Sequence, residues 1–277
     1  MTVMQFWREI GVQAAVSARA EEVLRENEAL LSGLPLEKWR TAPYEEGLSA
    51  LKEALGEDED GMKLFAAQSQ EALLALREYE KRGIGRDIFL ATMAFMARFS
   101  GEALVRRGRV EWTWGWWFPR QLALKEFHLG ALEYEMTEGA AFGGKPSGGN
   151  TRRIFLHIPA DADLSDGAVD ASLAAARAFF PKHFPAFADA EYVCESWMLS
   201  PALREMLPET SRVRRFSERF SVVFWEEDSP AFRDWIFPSA VAAPVKELPE
   251  ETSLQRAVKR RLLTGGKVGW AEGVLKG

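Results

Sequence analysis

A single cysteine, Cys194, stands among 277 residues, so no internal disulfide forms and no cysteine-based structural zinc site can be built. Histidine is almost as scarce: His128, His157 and His183 are scattered without ligand spacing, and no metal is expected. Positive charge is in deficit, with 35 Lys and Arg against 41 Asp and Glu, a net charge of −6. Neutralising phosphates takes a surplus of Lys and Arg, so neither nucleic acid nor a membrane surface is an expected partner. The chain has no run of about 20 apolar residues. Its start, MTVMQFWREIGVQ, carries acidic and polar residues where a signal peptide needs an apolar segment. A cytoplasmic location is the expectation.

What is present is enough apolar material for a large core: 47% of residues are hydrophobic and 12% aromatic. The length exceeds one ordinary domain and favours two. The first 130 residues read as helix. Val12, Val16, Ala20, Val23, Leu24, Leu30 and Leu31 follow a helical period up to Ser32-Gly33-Leu34-Pro35. Helices are also expected over Tyr44 to Leu55, closed by Gly56, over Met62 to Lys81, and from Asp87 through Met96. The segment EWTWGWWFP places Trp112, Trp114, Trp116 and Trp117 within six residues. Such a group needs cover, and burial at a junction between two domains is the expectation. Pro119 opens a helix to about Phe127, Leu129 to Met136 reads as a first strand, and the glycine-rich Gly139 to Asn150 reads as an exposed loop. The domain boundary is placed near residue 118, giving a helical domain over 1–118 and a sheet domain over 119–277.

Beyond the loop the period changes. Arg152 to Pro159, Glu191 to Leu199 and Val213 to Trp225 alternate as strands, and Lys267 to Leu275 reads as a last strand with Gly269 and Gly273 on one face. Between them, Val169, Leu173, Ala176 and Phe180 form a helical stripe behind a Ser165 cap, with Leu164 and Val169 at staple positions. Pro201 to Leu207 reads as a short helix. Thr252 and Gln255 have capping-box spacing at the head of a helix ending at Gly265-Gly266. The fold class is therefore α+β, a helical N-terminal domain followed by a mixed α/β sheet domain.

Polar side chains set into these strands are the candidates for chemistry. His157, near the end of its strand, has an imidazole suited to taking a proton from an amine near neutral pH, or to bonding a neighbouring loop. In Cys194-Glu195-Ser196-Trp197 the pleat sends Cys194 and Glu195 to opposite faces, so they do not share a pocket without a bulge. Glu218 interrupts an apolar series of Phe216, Phe220, Val222 and Phe224, where a carboxylate would be a raised-pKa base or pair with an arginine. Arg212, Arg214, Arg215 and Arg219 could hold phosphates or a carboxylate, or be solvated strand-face charges.

The pieces LHIP (Leu156 to Pro159), LSDGAVDAS (Leu164 to Ser172), CESWML (Cys194 to Leu199), Pro201 to Leu207 and TSLQRAV (Thr252 to Val258) carry a family likeness. The chain resembles bacterial acyltransferase domain-containing proteins, which join an N-acyltransferase N-terminal domain to a C-terminal domain similar to the GNAT (GCN5-related N-acetyltransferase) fold. The resemblance implies acyl-CoA as co-substrate and a small-molecule or peptide amine as acceptor. It makes Arg152 to Pro159 the strand that receives the thioester and Glu191 to Leu199 its splayed neighbour. Backbone amides near Ser165 would bind pyrophosphate, as a helix N-terminus does, helped by Arg212, Arg214, Arg215 and Arg219. His157, Glu195 and Glu218 are then the candidates for the base. Two departures stand out: members often have His where this chain has Glu195, and the glycine-containing pyrophosphate signature is replaced by Pro159-Ala160-Asp161-Ala162-Asp163-Leu164-Ser165. The readings are an N-acyltransferase, a noncatalytic GNAT-like module binding a ligand or partner, and a thiol-dependent enzyme using Cys194 and His157.

Overall fold

The computed structural model of the protein describes residues 1–145 and 151–277, and the chain divides into two compact units, Met1–Leu129 and Gly130–Gly277. The first unit holds α1 (Val3–Ile10), α2 (Ala14–Glu26), α3 (Glu28–Ser32), α4 (Leu36–Thr41), α5 (Tyr44–Leu55), α6 (Met62–Lys81), α7 (Arg86–Met93), α8 (Phe95–Arg107), α9 (Pro119–Leu122) and β1 (Glu126–Leu129). The helix begun by Pro119 is one turn long rather than reaching Phe127, and Leu124 leaves it with a positive φ of 55°.

Helix α6 organises this unit by burying polar groups as anchors for indoles. Trp7 Nε1 donates to Ser69 Oγ at 2.8 Å and Trp112 Nε1 to Gln68 Oε1 at 2.8 Å, while Gln68 Nε2 donates to the Gly115 carbonyl at 2.8 Å. Each buried donor finds an acceptor, which removes the cost of desolvating it. Trp112 packs edge-on against Phe65 at 5.5 Å, and Trp114 lies 4.3 Å from Phe99. Gly61 makes this approach possible. It has φ 71°, and a Cβ there would stand 2.3 Å from the Trp112 carbonyl oxygen. The tryptophan segment is thus seated within the helical unit, and the expectation of four covered indoles fails at Trp116, which is 48% exposed. The stretch Arg86–Arg107 is long and apolar enough by composition to cross a membrane, although Asp87, Arg98 and Glu102 interrupt its apolar residues. It breaks at Ala94, between α7 and α8, and buries Phe89, Met93, Phe95 and Met96 in the unit's core.

One buried carboxylate makes this unit sensitive to pH. Burial pushes Glu71 up to about 8, against a smaller downward pull from Arg40 and an upward one from Glu37. Arg40 is itself buried, donating to the Leu122 carbonyl at 3.0 Å and pairing with Glu37 at 2.6 Å. A carboxyl that keeps its proton longer in the folded state loses stability as pH rises from its ordinary 4.5 to about 8, because the unfolded chain releases that proton first. Urea unfolding should show stability falling across this window, and Glu71→Gln should flatten the slope and gain stability at pH 8. An unchanged slope would mean that Glu71 is ionised in the folded protein.

In the second unit β2 (Leu132–Glu138), β3 (Arg152–His157), β4 (Glu191–Ser196), β5 (Phe220–Glu226) and β6 (Trp270–Leu275) lie in the order β2-β3-β4-β6-β5. The β3–β4 pair is parallel and the other pairs are antiparallel, so the sheet is mixed, as expected. Helices α10 (Asp166–His183), α11 (Pro201–Met206), α12 (Arg212–Glu218), α13 (Phe232–Ile236) and α14 (Ser253–Leu263) complete it. Helix α10 covers one sheet face: Phe180 meets Tyr134 at 6.3 Å and Tyr192 at 6.4 Å, and Ser172 Oγ lies 2.8 Å from the Tyr134 hydroxyl. The strand read as Leu129 to Met136 begins only at Leu132. Gly130, at φ 74°, turns the chain before it, with Ser172 too close for a side chain. The capping box at Thr252 forms, with Thr252 Oγ1 accepting from the Gln255 amide at 3.1 Å. A smaller core of Trp197, Leu203, Phe232, Phe237, Leu248 and Val258 seats α14.

The long strand read as Val213 to Trp225 is half helix. Ser211 caps α12 by accepting from the Arg214 amide, and Arg214 pairs with Glu218 one turn on at 2.8 Å. The strand starts at Phe220. Gly269 likewise precedes β6 in a left-handed turn, φ 73°, and shares no strand face with Gly273. Of the glycine-rich loop, 146–150 lie outside the described residues. Phe142 to Lys145 form a tight turn whose ring packs on the sheet.

Candidate active site

The register of the sheet brings His157 and four glutamates together on the face opposite α10. Glu133 stands across from His157 in the β2–β3 pair, with Glu135 one diagonal away, and Glu195 stands across from Glu272 in the β4–β6 pair. His157 Nε2 lies 3.0 Å from Glu135 Oε2. Glu133 and Glu272 are buried. Loss of water, then the charge of Glu272, push Glu195 up to about 7, against a downward pull from His157 and a weaker upward one from Glu135. Glu195 retains solvent access, so it exchanges protons freely.

Pairing between β3 and β4 runs from Arg153↔Glu191 to Leu156↔Cys194 and stops, although β3 continues to His157 and β4 to Ser196. His157 and Glu195 are therefore the first residues past the end of the parallel ladder. The turn Phe142–Lys145 lies on the same face. Phe142 meets Phe155 edge-on at 6.1 Å, the Arg153 guanidinium sits 5.4 Å over the Phe142 ring, and the Gly143 amide donates to Glu272 Oε2.

Cys194 points the other way, as the pleat required. It is fully buried, and burial followed by the charge of Glu195 pushes its thiol far above the ordinary range. Buried on the α10 face while His157 lies on the other, it shares no pocket with His157, so the geometry does not support the thiol-dependent reading. Glu218 is not brought to the sheet face. It ends α12, exposed and paired with Arg214, and the apolar strand that would have made it a base does not exist at that point.

The phosphate candidates divide. Ser165 precedes α10 without capping it: its hydroxyl donates to Asp163 at 2.9 Å, and its amide donates to the same carboxylate. That amide first, then the hydroxyl, hold Asp163 below its ordinary value. Arg212, Arg215 and Arg219 share one side of α12 and its end, meeting Asp163 at 3.2 Å, Asp166 at 3.4 Å, and Asp166 and Asp170 respectively. Arg215 Nε is buried without a hydrogen-bond partner. Arg214 faces away, donating to the Leu207 carbonyl at 3.0 Å. Three arginines thus converge on the first turn of an 18-residue helix whose leading amides have no side-chain cap. Of the acidic residues in the departed signature, Asp163 is matched by Arg212.

Sequence reasoning missed Glu135, Glu272 and Gly143, whose parts depend on sheet register and a long-range bond. It also missed Arg204, which fastens α12 to β5 through the Ser217 and Phe220 carbonyls.

The comparisons with known proteins bear on this geometry. Residues 127–275 match the GNAT-like C-terminal domain and residues 1–124 the N-acyltransferase N-terminal domain. The chain belongs to this acyltransferase family. No curated protein matches it. Among solved structures, an acyltransferase in complex with decanoyl-CoA and teicoplanin is 23% identical with a TM-score of 0.74, covering 99% of this chain and 87% of its own. Another, an acyltransferase in complex with CoA and 10C-teicoplanin, is 20% identical with a TM-score of 0.67, covering 100% and 99%. These likenesses establish that the GNAT-like acyltransferase fold extends over the whole chain.

Proposed function

We propose that this GNAT-like protein is an N-acyltransferase that moves an acyl group from acyl-CoA to an amine on a small molecule or peptide, with Glu195 as general base. The observation that carries the reading is the end of the β3–β4 ladder at Leu156↔Cys194, flanked by His157 and by a Glu195 poised near 7. Acyl-CoA supplies a thioester carbonyl; the amine nitrogen bonds to it, the carbon–sulfur bond breaks and CoA departs. Glu195 accepts the proton the amine must lose, and a base with a pKa near working pH is both available and strong enough. His157, held by Glu135, orients the approaching amine. Backbone amides at the end of the β3–β4 ladder would bond the carbonyl oxygen as its charge develops. The relatives' complexes with teicoplanin support a bulky amine acceptor, and use of acyl-CoA supports a cytoplasmic location.

The phosphates of CoA fit the first turn of α10. Its uncapped amides and dipole favour an anion, and the Arg215 Nε, in an ion pair with Asp166 at 3.4 Å but without a hydrogen bond, offers a donor. The carboxylates of Asp163, Asp166 and Asp170 already hold these arginines, which favours a noncatalytic alternative in which no CoA displaces them. Calorimetric titration with octanoyl-CoA separates the two. The acyltransferase reading expects saturable binding, weakened about tenfold or more in Arg215→Ala with Arg219→Ala, since each charged hydrogen bond contributes about 1.5–3 kcal/mol. No binding at millimolar concentration would leave the noncatalytic reading standing.

A further inference from the structure

The pairing of Glu195 with Glu272 has no structural advantage. Like charges directly opposite on an antiparallel pair are destabilising, and Glu272 is only 7% exposed, where a carboxylate loses most of its hydration. Its neighbours on β6, Ala271 and Gly273, are small. The sheet nevertheless supplies Glu272 with a dedicated donor. Gly143 and Gly144 take positive φ, 63° and 67°, in the tight turn Phe142–Lys145, and packing of Phe142 on Phe155 keeps that turn on the sheet with the Gly143 amide directed at Glu272 Oε2.

We propose that Glu272 is a positioning residue of the site: its carboxylate, fixed by the Gly143 amide, faces Glu195 across the β4–β6 pair and sets the proton affinity of the base. The turn and the base are thereby linked through one side chain. The other groups facing Glu195 are His157 from β3 and Glu135, with Glu133 beside it, from β2; Arg153, on the same face, is engaged with the Ala140 carbonyl and Phe142, and Lys145 on the turn is exposed. His157 opposes Glu272 in its effect on Glu195 and Glu135 adds to it, with Glu272 the largest charge contribution.

This inference rests on reading Glu195 as the base, and its test is read on the carboxyl itself. In the full-length protein with carbon-13-labelled glutamate, the Glu195 carboxyl is assigned by its loss in Glu195→Gln and titrated by NMR. In Glu272→Gln its midpoint should fall by about one unit, as removal of a close like charge requires. Glu272→Asp, which keeps the charge, should restore most of the wild-type midpoint. Where transfer is measurable, the acid limb of the kcat/KM profile should move by the same amount with KM for acyl-CoA unchanged. An identical Glu195 titration in wild type and Glu272→Gln overturns the proposal. A shifted titration in a protein that transfers no acyl group supports Glu272's role and places the failure on the acyltransferase reading alone.

Discussion

Glu195→Gln lowers acyl transfer by about 10²–10⁴-fold at neutral pH, the range a positioned general base contributes, while octanoyl-CoA binds as tightly as before. The amide is nearly isosteric and leaves the β4–β6 pairing intact, so only the proton acceptor is lost. The assay is release of the CoA thiol from octanoyl-CoA across a panel of primary amines that includes glucosamine and a lysine peptide. In the wild type the rate should climb through pH 7 as Glu195 loses its proton. The Glu195→Gln profile should lack that limb. A variant that weakened acyl-CoA binding without slowing the chemical step would make Glu195 a binding residue, since loss of a transition-state interaction lowers kcat and kcat/KM together.

The second large effect is on stability. Phe180→Ala should cost about 3–5 kcal/mol, the usual penalty for emptying a buried aromatic site, because Phe180 is fully buried and its ring meets both Tyr134 and Tyr192. The functional consequence follows from position. Phe180 presses α10 onto β2 and β4, and the first turn of α10 carries the proposed phosphate site. Chemical denaturation should show the loss, and octanoyl-CoA should return part of it if the ligand binds only the folded unit. A change below about 1 kcal/mol would mean that α10 is held by other contacts.

Much of the sheet unit was legible because its signals are local. Alternation over Arg152 to His157 and Glu191 to Ser196, the stripe Val169, Leu173, Ala176 and Phe180, and the Thr252–Gln255 box each depend on residues within one element. The segment from Arg212 to Glu218 misled because Phe216, Phe220, Val222 and Phe224 satisfy a period of two. Arg212, Arg215 and Arg219 satisfy the helical spacing of three and four, and the Ser211 cap decides for helix. That error moved Glu218 into a site it does not occupy. It also scattered arginines that the helix brings together.

The site was legible only in part. His157 and Glu195 were visible as polar residues near the ends of apolar strands, but their partners were not. Glu135 reaches His157 through a strand register, and Gly143 reaches Glu272 across 129 positions of sequence, so no local pattern announces either. Trp116 shows the opposite failure: a dense aromatic motif suggested complete burial, and the fold needed only part of it inside.

The central claim is that acyl-CoA lies between the ends of β3 and β4 with its phosphates at the start of α10, and hydrogen exchange read by mass spectrometry on the full chain tests it directly. Saturating octanoyl-CoA should slow exchange in peptides covering His157 to Ala168 and Glu195 to Ser196, while α6 exchanges as before. Protection confined to the helical unit, or none at millimolar octanoyl-CoA, would contradict the account.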